Sequence, residues 1–189
     1  MALLREEIRK LRCPIDDGDR FFITHRLLYE LLTREKITNA IKECKDFPPY
    51  YLDELVEKIV RGGRRTFAIL VLIKGEEGLI SRFIESDNFQ NSPLDMKLPF
   101  SKDVLGTLIP AETVDDFYET QWELVAPIFS EGVMHRFFDS KVRLPYIQNK
   151  EMNTEGGFGV MYEIEIHPDH QRFSSLSGPS VSYHDPTYA

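Results

Sequence analysis

The sequence predicts an α+β fold, with a mainly helical N-terminal array followed by a β-hairpin. From Phe21 to about Ile84 apolar residues recur at helical spacing. Between residues 143 and 166 the period falls to two, as in a strand exposed on one face. A glycine cluster, Gly156-Gly-Phe-Gly159, interrupts that second pattern where a hairpin would turn.

The helical part is punctuated as helices should be. Leu27, Leu28, Leu31 and Leu32 form one stripe, and Leu52, Leu55, Val56, Ile59 and Val60 another, which suggests four or five helices in all. Thr24 and Thr33 are candidate N-caps, Pro48 and Pro49 precede the second stripe, and Gly62-Gly63 can end it. Arg65–Ile73 is apolar on nearly every side, which suits a helix in the middle of the array. Its β-branched residues also fit a buried strand, and helix is the reading taken. Leu79, Ile80, Phe83 and Ile84 add a short helix. Residues 86–110, with Pro93, Pro99 and Pro110 among polar residues, read as a surface linker, and Val114–Trp122 as a further helix.

In the hairpin, Arg143–Glu151 is followed by Val160–Ile166, where Val160, Tyr162, Ile164 and Ile166 share one face and Met161, Glu163 and Glu165 the other. The Ser- and Pro-rich end lacks large apolar side chains and reads as mobile. The expected organisation is a helical region over 1–86, a linker and helix over 87–142, the hairpin over 143–173 and a mobile tail over 174–189.

Composition narrows the function classes. The chain has 189 residues, 42% hydrophobic and 29% charged, which is ordinary for a folded domain. Its longest apolar run, Phe67–Ile73, is far short of the ~20 residues that span a bilayer, so no membrane partner is expected. The first ten residues resemble neither a secretory signal nor a transit peptide, which points to the cytoplasm. Residues 1–75 hold 15 Lys and Arg against 12 Asp and Glu, and residues 76–189 hold 8 against 19. A net charge of −8 leaves no cationic footprint for nucleic acid. Cys13 and Cys44 sit in no ligand pattern and read as two buried thiols.

Asn153-Thr-Glu-Gly-Gly-Phe-Gly-Val-Met-Tyr162 resembles the Gly-rich loop of protein kinases, GxGxxGxV. Gly156 and Gly159 fall on the second and third glycines and Phe158 on the aromatic at the loop tip. Thr154 replaces the first glycine, and Met161 replaces the valine that covers adenine. Gln121–Phe129 (QWELVAPIF), Leu144–Ile147 (LPYI), Gly156–His170 and Leu52–Ile73 are together similar to a group of fungal kinase-like proteins, in which a helical region precedes the kinase domain. The likeness covers most of residues 20–173. It implies that the hairpin corresponds to the first two strands of a kinase N-lobe, with Gly156, Gly157, Phe158, Gly159 and Met161 facing a nucleotide, ATP. Glycine backbone N–H groups can approach phosphate oxygens without side chains intervening.

Phosphoryl transfer also needs a strand-borne Lys, an HRD Asp and a DFG Asp. Lys150 is the last lysine, and HRD and DFG occur nowhere. Ala68–Lys74 resembles a VAIK strand but precedes the glycine loop, so it reads as a core helix ending in a solvated lysine. His167-Pro-Asp-His170 reads as a turn after a strand, Asp16-Asp-Gly-Asp19 as a turn, and Arg61, Arg64 and Arg65 as a solvated cluster at a helix end. The resulting expectation is a truncated or degenerate kinase-like protein with a regulatory or binding role. At most it binds ATP weakly, it does not transfer phosphate by itself, and its partners are proteins. The alternative is a stand-alone helical interaction module.

Overall fold

The structure is a computed structural model that describes residues 1–15, 18–44, 48–73, 77–86, 92–131, 137–152, 161–173 and 181–184. It is α+β, as the sequence predicts. The chain forms two compact units: Met1–Arg12 with Ile23–Val125, and Cys13–Phe22 with Ala126–Ala189.

The first unit is helical. Its elements are α1 (Ala2–Arg9), α2 (His25–Leu31), α3 (Arg34–Glu43), α4 (Pro49–Gly62), α5 (Arg64–Leu72), α6 (Ile80–Glu85), α7 (Lys102–Leu108) and α8 (Ala111–Thr120). The Thr24 hydroxyl accepts from the Leu27 N–H and the Thr33 hydroxyl from the Lys36 N–H, each at 3.3 Å. Such caps satisfy amides that the helix leaves open, at about 1 kcal/mol each. Pro at the first position of α4 gives up an N–H that would have no helical partner there. Gly62 allows a close crossing, since a Cβ there would lie 2.5 Å from the Cβ of Pro93.

Helix α5 is the centre of this unit. Every residue from Thr66 to Leu72 is buried, so the apolar run is a helix surrounded by others and not a strand. Leu4 and Ile8 of α1, Leu28 of α2, Ile37 and Ile41 of α3, and Leu55, Val56 and Ile59 of α4 share its core. Arg5 of α1 donates its Nε to the Val71 carbonyl at 2.6 Å, satisfying an acceptor at the end of α5 that has no helical donor. On another side Phe83 stacks on Phe117 with ring centroids 5.3 Å apart, and Phe100 lies 5.6 Å from Phe83.

The expected linker over residues 86–110 is corrected by the structure. Residues Leu94–Lys97 form a 3-10 turn, and α7 follows with the Ser101 hydroxyl accepting from the Val104 N–H. Leu94, Asp95, Phe100, Leu105, Leu108 and Ile109 are all buried. The prolines mark joints between short interior elements. A seven-residue helix that buries only Leu105 and Leu108 gives too few repeats for its period to register in the sequence.

Asp95 is the polar centre of this segment. Its carboxylate accepts from the Arg65 N–H at 2.9 Å, and from the Thr66 N–H and hydroxyl at 3.0 Å, so it caps α5 from 30 residues away. The Arg65 guanidinium turns back to donate to the Asp95 carbonyl, reaches the Leu124 carbonyl at 3.4 Å and lies 3.3 Å from His25 Nε2. Burial pushes the Asp95 carboxyl above its ordinary range, while the Arg65 and Thr66 amides, the guanidinium and the hydroxyl pull it down. Two further side chains close the unit. Gln121 accepts from the Phe100 N–H at 2.8 Å and donates to the Phe100 carbonyl at 3.0 Å. Glu123 accepts from Arg12 in two hydrogen bonds, at 2.7 and 3.0 Å.

A ribbon of β1 (Arg12–Pro14) and β2 (Phe21–Ile23) leads from one unit into the other. The second unit pairs β3 (Phe129–Ser130) with β6 (Gln171–Arg172) in parallel, and holds an antiparallel sheet in the order β4 (Tyr146–Met152), β5 (Met161–Ile166), β7 (Val181–His184). The hairpin read from the sequence is therefore present. The tail expected to be mobile carries a third strand, β7, because backbone pairing to an open sheet edge needs no large apolar side chain.

Asp95→Ala leaves two helix amides and a hydroxyl without their acceptor and removes the carboxylate 3.9 Å from the Arg65 guanidinium, and should lower unfolding free energy by about 3–5 kcal/mol. Asp95→Asn keeps one acceptor oxygen and should cost less than half as much. Chemical denaturation of both variants measures the difference, and equal losses would refute the capping role.

Candidate functional site

The site predicted from sequence lies in the second unit. Gly156, Gly157, Phe158 and Gly159 fall outside the described residues, as does Val160. Met161 is described: it opens β5, is half-buried, and pairs across the sheet with Met152 of β4 and with His184 of β7. The strands form where the sequence alternates, with Glu163 and Glu165 exposed between the half-buried Tyr162 and Ile164 and the buried Ile166. Lys150 stands across from Glu163, Glu151 from Tyr162 and Gln148 from Glu165. The strands β4 and β5 thus carry one cation, Lys150, against three carboxylates, Glu151, Glu163 and Glu165, a balance that opposes a triphosphate.

At the other end of the hairpin the chain makes a buried histidine turn. The His167 N–H donates to the Pro145 carbonyl at 2.9 Å, closing the strand end, and its Nδ1 accepts from the Asp169 N–H at 3.2 Å. Residues Pro168–His170 then form the turn expected after the strand, as one turn of 3-10 helix. His170 is fully buried, with Nδ1 2.9 Å from the Pro127 carbonyl. Phe22, also fully buried, meets both imidazoles edge-on, 5.6 Å from His167 and 5.3 Å from His170. Ile15, Phe22 and Ala126, with Cys13 against them, make the small core that supports this turn. Arg143 adds a 2.7 Å hydrogen bond to the Phe21 carbonyl.

Burial lowers the His170 pKa from its ordinary value, and the neighbouring His167 acts in the same direction. The Cys13 thiol is raised, first by burial and then by the nearby Asp169 carboxylate, which makes it a poor nucleophile. Both cysteines are half-buried, less enclosed than the sequence suggests. No three His, Cys, Asp or Glu side chains converge on a metal position among the described residues. The described residues also hold no helix long and apolar enough to cross a membrane.

The remaining sequence candidates divide clearly. Of the acidic turn, Asp16 and Asp17 lie outside the described residues, and Gly18 takes the left-handed φ of 72° that favours glycine. Lys74 and His135 are also outside them. The expected solvated arginine cluster is corrected: only Arg61 stays on the surface, paired with Glu57. Arg64 lies 4.7 Å over the Tyr29 ring and donates to the Leu32 carbonyl, while Arg65 joins the Asp95 network. Sequence reasoning missed Asp95, Gln121 and Glu123. Nothing beside them in the sequence marks them as buried, and only the fold supplies their partners.

A histidine buried as the neutral base stabilises a fold above its ordinary pKa, and that contribution is lost as pH falls from about 6.5 toward the lowered value. The second unit should therefore lose amide protection in Met161–Ile166 between pH 7.5 and 5.5. In His170→Gln the same pH change should have a smaller effect. Hydrogen exchange read by mass spectrometry measures this, and an equal pH effect in the variant would rule out His170 as the source.

No family model matches the chain, and comparison with curated proteins and with solved structures yields no match to either.

Proposed function

We propose that this chain is a kinase-like protein of the cytoplasm with a binding or regulatory role toward protein partners, and that by itself it transfers no phosphate. The observation that carries the reading is the antiparallel meander β4–β5–β7, whose first two strands are joined by the glycine-bearing segment 153–160. Kinases lay such a segment over the nucleotide phosphates and mount the phosphate-holding Lys on their third strand. Here the third strand, Val181-Ser-Tyr-His184, has no lysine, and its register sets His184 beside Met161. Glu151, Glu163 and Glu165 on the neighbouring strands further disfavour a triphosphate. Weak ATP binding at most, through Gly156, Gly157, Phe158, Gly159 and Met161, follows from these features.

The periodic helices of the first unit support a second reading, a stand-alone helical interaction module in which the hairpin is an integral part of the fold. Removing residues 150–189 separates the two. If the hairpin is an appended kinase element, the helical unit keeps its unfolding midpoint, measured by circular dichroism. Loss of the helical fold favours an integral module.

Titration with ATP and magnesium should give a Kd of about 1 mM or weaker, near −4 kcal/mol, and labelled ATP should leave no phosphate on general protein substrates. Transfer above background by the purified chain would overturn the reading.

A further inference from the structure

We draw no further inference here: the strongest candidate, the outer edge of strand β4, which no second described strand joins and along which Ile147 and Met152 are exposed, carries nothing, because nothing in the structure shows what covers it.

Discussion

A carboxylate at position 95 holds the start of a helix 30 residues earlier in the chain, and the order of the first unit depends on that contact. Helix α5 is buried on every side, so its open N–H groups cannot be left to water. Asp95 satisfies two of them and draws Arg65 into a mesh that reaches α2 through His25 and the end of the 3-10 turn Gln121–Glu123 through the Leu124 carbonyl. The desolvation of one acidic group is offset by several donors, with the opposing helix end held by Arg5. Apolar packing alone would gather these helices, but it would not set the angle at which the 92–100 segment enters the core.

The second unit rests on a different kind of contact. Among its described residues few apolar side chains are fully buried, and rings take their place: Phe22 beside two imidazoles, Phe129 beside Tyr146 and Phe138. Edge-on aromatic pairs contribute about 0.5–1.5 kcal/mol beyond their burial, enough to fix a turn but not to replace a large core. The sheet is correspondingly open, with one face of β5 and most of β4 in solvent.

Local patterns in the sequence carried the periodic features. The two threonine caps, the central apolar helix and the hairpin all follow from contacts within a few residues, where period and turn chemistry act. What escaped was long-range. Asp95, Gln121 and Glu123 look like surface residues because their partners, Arg65 with Thr66, Phe100 and Arg12, lie 21 to 111 residues away. The 86–110 stretch misled for a related reason, since prolines between short interior turns have the composition of a loop. At the candidate site, Met161 was placed on a strand as expected. The carboxylates around it were legible as residues, but not as neighbours until the register was known.

The second unit also takes its central ring from the wrong end of the chain. Phe22 and the Phe21 carbonyl are made early, yet Arg143 lies 122 residues after the carbonyl it binds, and the two histidines come later still. At about 5–20 residues per second a ribosome needs on the order of ten seconds to bridge that gap. Throughout that interval the ribbon carrying Ile15 and Phe22 has no core of its own, while the helical unit can already close. The order of synthesis therefore opposes the order of packing: the helical unit can mature first, and the core of the second unit closes only when its late residues return to an early ribbon. Such a loop closure is slow, and it leaves the β1–β2 ribbon as the part of the newborn chain most in need of protection.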